Sequence, residues 1–338
     1  MKKRETELDI LRLLATLGVI FTHVDKVETG SVVNGLLMTF LTATITWHVP
    51  VFVMISGRFF LDPERNVSFE KVIKAICRLA IAFLFWNAVY QSYYILTGNY
   101  NGLNWKGILS QSMIGPYHFW YLFMLICLYA ITPFLRKIAE SRNLMVYFAV
   151  LFFMFEFLTI YGQRLPFVGA TIEQIISKAG FHFALGFSGY YILGYCLHRY
   201  QPTGKREIGI YVLGIAMLML TGLATIWKVQ QGAEGKEWFS KYLMPNVAIE
   251  AVALYTFFVN RIGKIHFSEK AEALISKLAE YSFGVYLVHA LVLELFEGIR
   301  GICSAAENVG LRVISVFVVS AAATALIRKI PVIGKKIT

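Results

Sequence analysis

Residues 8–24 read LDILRLLATLGVIFTHV, a stretch that is apolar enough to enter a lipid bilayer and yet carries Asp9, Arg12 and His23. A membrane helix needs about 20 mostly apolar residues, so the stretch predicts a first membrane span. Arg12 and His23 are eleven positions apart, and eleven steps of 100° leave them about 20° apart around a helix. Both side chains are therefore predicted to share one helix face, roughly 16 Å apart along the axis.

Two interpretations of this helix face remain open. Ionisable residues inside spans usually face a cavity or a pathway, which would place a cation near one mouth and an acid–base group near the other. In the alternative, Arg12 extends to the headgroups of one interface and His23 lies at the opposite interface. Asp9 is three residues before Arg12, within reach of an ion pair that would lower the cost of holding the arginine in the membrane. We assign Asp9 a structural role.

The composition of the 338-residue chain is typical of an integral membrane protein, with 57% hydrophobic and only 16% charged residues. The net charge of +11 does not indicate nucleic-acid binding, because the basic residues separate apolar runs instead of forming one patch. The four cysteines show neither disulfide nor metal-ligand spacing, so we expect no metal site. We therefore expect a protein that works in or beside the bilayer, with membrane lipid as a partner.

Windows of about 20 apolar residues predict ten membrane spans. If the N-terminus is inside, 22 Lys and Arg residues fall in the inner segments and nine in the outer ones, which predicts that both termini are cytoplasmic. The predicted fold is all-α, a single polytopic membrane domain over residues 1–338 without an appended soluble domain. The spans are 8–28, 34–57, 79–97, 118–135, 143–162, 181–198, 207–227, 243–261, 279–297 and 309–327.

Three connections between the spans are long enough for structure of their own. The outer segments 98–117 and 163–180 are predicted to have room for short interfacial helices. The inner stretch 266–280, HFSEKAEALISKLAE, is typical of an amphipathic helix that lies along the membrane surface, and a simple connector is the alternative.

Four further phrases follow DILR and His23 along the chain: VPVFVMISGRFF (49–60), KVIKAICRLAIAFLFW (71–86), YHFWYLFML (117–125) and SFGVYLVHALVL (282–293). In this order and at this spacing they resemble the acyltransferase-3 family of bacterial membrane proteins, whose hallmark is an arginine, ten residues and a histidine in the first span. The resemblance implies an enzyme of the bacterial cytoplasmic membrane. It would transfer an acyl group from cytoplasmic acyl-CoA, with acetyl-CoA as the default donor, to a carbohydrate or another cell-wall acceptor.

Such a donor needs cations for its phosphate groups on the inner side of the membrane. Arg12, Lys71, Lys74 and Arg78 lie on the predicted inner side and are our donor-binding candidates. The family often has an Arg-x-x-Arg pair at the inner end of the third span. This chain departs from that pattern, because the basic positions there are the two lysines and Arg78.

The imidazole of His23 is our candidate for the general base that activates an acceptor hydroxyl group, or for a transient acyl carrier. An imidazole base works best when an acceptor holds its other ring nitrogen. Glu156 and Glu250 lie inside predicted spans and are the candidates for that catalytic role. The alternative is that each carboxyl group is protonated and structural.

Three other residues are candidates for substrate binding: His48, His118 and Trp120. His48 would neighbour His23 if the first two spans pack as a hairpin. The other two begin the fourth span, where an interfacial aromatic belt is the alternative. We assign structural roles to Ser56, Tyr286 and His289, with the last two spaced to share a helix face.

A second function class remains open beside the enzyme. Ten spans with buried ionisable residues would also suit a transporter or exporter of a small polar solute, such as serine, or of a polysaccharide precursor. The sequence shows no inverted repeat and no matching pair of interrupted spans, which favours the enzyme. The oligomeric state is left open, a homo-oligomer included.

Overall fold

The computed structural model describes residues 4–24, 32–98, 104–162, 168–172, 174, 186–232, 239–298 and 309–338, and every regular element in these ranges is a helix. The predicted all-α fold is therefore confirmed for the described part of the chain. The α-helices are α1 Thr6–Val24, α2 Val32–Thr44, α3 His48–Phe60, α4 Phe69–Leu96, α5 Trp105–Ile114, α6 Trp120–Ala139, α7 Arg142–Ile160, α8 Ser188–Arg199, α9 Lys205–Gln230, α10 Pro245–Asn260, α11 Glu269–Gly298 and α12 Val309–Ile327.

Within the described residues, six helical segments are long and apolar enough to cross a membrane. They are Gly35–Phe60, Phe69–Leu96, Tyr117–Ala139, Lys205–Gln230, Glu269–Phe296 and Val309–Ile327. The protein is therefore a multi-pass membrane protein. The count of ten spans and the cytoplasmic placement of both termini stay predictions.

The predicted second span, 34–57, consists of two helices with a turn at residues 45–47 between them. Threonine side chains accompany the turn, because the hydroxyl of Thr44 donates to the carbonyl of Phe40 and that of Thr46 donates to the carbonyl of Ala43. Pro50, in the first turn of α3, has no N–H that could continue the hydrogen-bond ladder of α2. A window of average apolarity does not reveal such local hydrogen bonds.

The stretch 266–280 does not form a separate interfacial helix, because α11 includes it from Glu269 onward. The hydroxyl of Ser268 accepts the N–H of Ala271 at 3.3 Å and so caps the helix. No glycine or proline interrupts the chain between this cap and Gly284, so the helix continues into the predicted span. The outer segment 98–117 does contain a short helix, α5, whereas most of 163–180 lies outside the described residues.

The chain divides into two compact units. Unit 1 comprises Met1–Asn66 and Phe134–Ala279, and unit 2 comprises Val67–Pro133 and Glu280–Thr338. The first of the three boundaries follows Asn66, between α3 and α4, and the other two fall inside α6, after Pro133, and inside α11, after Ala279.

Unit 1 contains a very close crossing between α3 and α8. A Cβ atom built on Gly57 would lie 1.8 Å from the carbonyl oxygen of Tyr191, and one built on Gly194 would lie 1.9 Å from that of Met54. Small residues let helix backbones approach in this way inside membranes. Gly57 therefore provides the close approach, and the hydroxyl of its neighbour Ser56, to which we assigned a structural role, donates to the carbonyl of Phe52 at 3.0 Å.

Candidate active site

Arg12 and His23 both lie on α1, the arginine in its second turn and the histidine in its last. The carboxylate of Asp9 lies between two guanidinium groups, 2.6 Å from Nε of Arg4 and 3.3 Å from Nη1 of Arg12. The pair between Asp9 and Arg12 has the i,i+3 spacing that joins neighbouring ridges of a helix. The far end of α1 therefore presents His23 on the same helix face as an arginine whose side chain is anchored.

The imidazole of His48 lies close enough to His23 to interact with it electrostatically. α1 packs against α3, and a Cβ atom on Gly18 would lie 3.0 Å from Cβ of His48. Nδ1 of His48 is 2.8 Å from the carbonyl oxygen of Ile45. Since a carbonyl only accepts, Nδ1 carries the hydrogen, and Nε2 of the neutral ring keeps a lone pair. α1 and α3 therefore pack together as our expectation for His48 required, and a role of His48 in substrate binding stays a prediction.

The two predicted carboxyl groups are buried in unit 1 and contact other groups than His23. Oε1 of Glu156 accepts the N–H of Gly186 at 3.0 Å. Oε1 of Glu250 is 2.5 Å from the hydroxyl of Thr221, which also accepts the side-chain amide of Asn246 at 2.7 Å. A role of either carboxyl group in orienting His23 stays a prediction.

Tyrosines link these carboxyl groups to the histidines. The buried ring of Tyr190 interacts electrostatically with both Glu156 and Glu250. Its hydroxyl donates to the carbonyl of Tyr242 at 2.6 Å. The ring of Tyr242 in turn meets His48 edge-on, with 5.5 Å between the ring centroids. Polar and aromatic side chains thus continue from His48 to the carboxyl groups through the interior of unit 1.

A cluster of arginines, which the sequence did not lead us to expect, joins the N-terminal end of α1 to the C-terminal end of α3. Arg58 donates to Glu5 at 3.0 Å and to Asp62 at 2.8 Å. Arg65 donates to the same Glu5 oxygen at 2.8 Å. We call Arg12, Arg58 and Arg65 with Glu5 and Asp62 the arginine cluster. The only sequence signal for it is the charged stretch RFFLDPER, residues 58–65, directly after an apolar run.

The remaining donor-binding candidates belong to unit 2. Lys71 is exposed, and its backbone N–H donates to the hydroxyl of Ser68, the N-cap of α4. Lys74 is also exposed and pairs with Glu70 at 2.6 Å. The guanidinium of Arg78 donates to the carbonyl oxygen of Thr338 at 2.8 Å. A phosphate group would have to replace that contact, so the role of Arg78 stays a prediction.

Unit 2 brings His118, a candidate for substrate binding, together with Tyr286 and His289, to which we assigned structural roles. The two imidazoles are buried, with 5.1 Å between their centroids. The hydroxyl of Tyr286 donates to the carbonyl of His118 at 2.6 Å, and Nδ1 of His289 is 2.7 Å from the carbonyl of Tyr286. Trp120 keeps 38% of its surface exposed at the start of α6, as an interfacial residue or a sugar-stacking residue would.

Tyr90 was also missed by the sequence analysis. Its hydroxyl donates to the carbonyl of Leu287 at 2.9 Å and accepts the N–H of Leu291 at 3.0 Å. These two backbone groups are four residues apart, which is the spacing of the hydrogen-bond ladder within α11. The hydroxyl therefore bonds to both members of one ladder position, beside His289 in the sequence. Nothing in the sequence of an apolar span indicates which helix a tyrosine will contact.

The described residues contain no group of three or more His, Cys, Asp or Glu side chains arranged to hold a metal ion. Residues 5–328 match the acyltransferase domain family Acyl_transf_3. Neither a curated protein nor a solved structure matches the chain significantly. The family match covers nearly the whole chain and includes α1 with Arg12 and His23. The chain belongs to the acyltransferase-3 family.

Proposed function

We propose that the protein transfers an acyl group, acetyl in the default case, from cytoplasmic acyl-CoA to a hydroxyl group of a cell-envelope carbohydrate across the bacterial cytoplasmic membrane. One observation carries the proposal: α1 presents Arg12 and His23 on the same face, in a chain of the acyltransferase-3 family. The family match supports a membrane acyltransferase, and the donor, the acceptor and the role of His23 are our inference.

The separation of the two residues suits a donor that stays on one side of the membrane. Acyl-CoA is a polyanion that does not cross lipid, but its thioester lies at the end of a long pantetheine arm. The Lys and Arg distribution favours a cytoplasmic N-terminus, so Arg12 would meet the phosphate groups. His23 follows about 16 Å further along the helix, a distance of the order of the arm's length.

In the proposed reaction, His23 accepts the proton of the acceptor hydroxyl while the hydroxyl oxygen attacks the thioester carbonyl carbon. The C–O bond forms, the C–S bond breaks, and the proton passes from His23 to the leaving thiolate of CoA. The imidazole returns to its neutral form without a net change in protons. His48 supports this role. It interacts electrostatically with His23, and its Nε2 keeps a lone pair, so the base has a polar neighbour.

A second route would form an acyl-imidazole on His23 and then transfer the acyl group to the hydroxyl. The two routes differ when the protein is incubated with acetyl-CoA alone. An acetyl group found on His23 by mass spectrometry would support the carrier route, and its absence would support direct transfer.

The substitution His23→Ala tests the proposed function. Loss of a general base should lower the transfer rate by roughly 10²–10⁴-fold. Purified protein in liposomes is given labelled acetyl-CoA and a cell-envelope extract, and label on the acceptor is measured. His266→Ala is the matched control, because His266 is an exposed histidine outside the proposed site, and it should transfer like the wild type.

The same experiment separates the enzyme from the transporter. Transfer by His23→Ala at the wild-type rate would contradict the catalytic role. Movement of a polar solute into or out of the liposomes without consumption of acetyl-CoA would instead support transport.

A further inference from the structure

Two arginines of unit 1 lie over the same aromatic ring. The guanidinium carbon of Arg65 is 4.6 Å from the ring centroid of Phe59, and that of Arg12 is 6.0 Å from it. A cation within about 6 Å of an aromatic centroid is attracted to the ring face. Phe59 therefore holds together two positive charges that come from α1 and from the segment after α3.

Exposure separates these two arginines from the third member of the cluster. The side chains of Arg12 and Arg65 are 28% and 26% exposed, whereas that of Arg58 is 11% exposed. Both terminal nitrogens of Arg58 are engaged, Nη2 by Glu5 and Nη1 by Asp62, so this arginine serves as the buried link of the cluster. Only the two arginines over Phe59 can meet a ligand without breaking that link.

Arg65 keeps hydrogen-bond donors for such a ligand. Its Nη2 donates to Glu5 at 2.8 Å and its Nε lies 3.4 Å from Asp62, whereas no contact of Nη1 is described. A guanidinium group has five N–H donors in a planar fork that matches the oxygens of a phosphate group. The two carboxylates therefore fix the direction of the guanidinium and leave part of its edge available.

Hydrogen bonds from Arg136 fix the segment that carries Arg65. Arg136 donates to the carbonyl oxygens of Phe60 at 2.7 Å, Asp62 at 3.0 Å and Arg65 at 3.1 Å. Three bonds to consecutive parts of one short segment define its backbone. A binding residue held in this way loses little conformational freedom when a ligand arrives.

We propose that Arg65 is a second donor-binding residue, which acts with Arg12 on the nucleotide phosphate groups of acyl-CoA. The inference rests on the proposed function, which supplies the donor. Glu5 and Asp62 neutralise part of the local charge, so recognition comes from directed N–H···O bonds of the two exposed guanidinium edges.

The variant Arg65→Gln tests the proposal when its use of acetyl-CoA is compared with its use of a truncated donor. S-acetylpantetheine carries the same thioester as acetyl-CoA but lacks the nucleotide and all phosphate groups. Loss of one charge-assisted hydrogen bond should raise the KM for acetyl-CoA about ten-fold or more, while kcat and the KM for S-acetylpantetheine stay unchanged. Arg206→Gln is the matched control, because Arg206 is an exposed arginine at the start of α9 in the same unit.

Each alternative gives a different result. A purely structural role of Arg65 would affect the use of both donors equally, and an unchanged KM for acetyl-CoA would show that Arg65 does not bind it; both results overturn the proposal. Direct binding of 3′-phosphoadenosine 5′-diphosphate, measured by calorimetry, gives a readout without turnover and should weaken in Arg65→Gln. A wild type that binds the nucleotide but transfers nothing would instead overturn the proposed function.

Discussion

In unit 1 the guanidinium of Arg58 lies between two carboxylates, whereas in unit 2 the hydroxyl of Tyr90 lies between two backbone groups of α11. The two arrangements differ in what remains when the central side chain is removed. Glu5 and Asp62 would lose their more buried partner and keep only Arg65, whose side chain is 26% exposed. The backbone groups of Leu287 and Leu291 are four residues apart and can bond to each other. Replacement of Arg58 in unit 1 should therefore cost far more stability than replacement of Tyr90 in unit 2.

The largest effect is expected for Arg58→Met. Removing one partner of a buried ion pair typically lowers the free energy of unfolding by about 3–5 kcal/mol. The lower end applies here, because Arg65 still compensates part of the charge of Glu5 and Asp62. Thermal melting in detergent measures the loss. Lys137→Met is the control in the same unit, since its pair with Glu140 is 78% exposed on the lysine side and should change the melting temperature little. Equal melting of both variants would show that the buried ion pairs of Arg58 contribute no more to stability than an exposed pair does.

A smaller loss of unfolding free energy, again larger in unit 1 than in unit 2, is expected when Gly57 and Gly284 are replaced by alanine. A Cβ atom on Gly57 of unit 1 would lie 1.8 Å from a backbone oxygen, whereas one on Gly284 of unit 2 would lie 2.3 Å from Cγ2 of Thr324, a side-chain atom. A side chain can rotate away, but the backbone of α8 cannot move without its helix. Gly57→Ala should therefore lower the free energy of unfolding by about 1–3 kcal/mol, and Gly284→Ala by less.

The control for both variants is Gly209→Ala, because no atom lies within 4 Å of a Cβ atom built at this position of α9. Alanine favours an exposed helix over glycine, so this variant should melt at or above the wild-type temperature. A Gly284→Ala variant that melts below Gly57→Ala would mean that the close crossing of α3 and α8 is not the more rigid contact.

Much of the fold could be predicted from apolarity alone. α12 ends at Ile327, where the predicted span 309–327 also ends, because the apolar run gives way there to the basic residues Arg328 and Lys329. The turn between α2 and α3 and the early start of α11 were not predicted. Hydroxyl groups that bond to nearby carbonyl and amide groups decide both features, and such bonds leave the average apolarity of a window unchanged.

The candidate site was predictable to the extent that its contacts are local. The pair of Asp9 and Arg12 follows from i,i+3 spacing and is present at 3.3 Å. The contacts of Glu5 with Arg58 and Arg65 join segments that are more than 50 residues apart, and no helical period predicts them. The same holds for Tyr90 and α11. Long-range contacts of this kind require the packed structure.

The smallest effect is expected for Tyr90→Phe in unit 2. The hydroxyl would be lost, but the N–H of Leu291 can then bond directly to the carbonyl of Leu287, so the free energy of unfolding should fall by only about 1 kcal/mol. Tyr255→Phe in unit 1 is the matched variant: its ring is equally buried, and its hydroxyl has no hydrogen-bond partner in the described part of the chain. Removing a buried hydroxyl without a partner should leave the melting temperature unchanged or raise it. If Tyr90→Phe instead melts as early as Arg58→Met, the ladder of α11 does not close when the hydroxyl is gone. The contacts of Tyr90 would then be as irreplaceable as the ion pairs of unit 1, because helix backbone opened inside a membrane has no water to satisfy it.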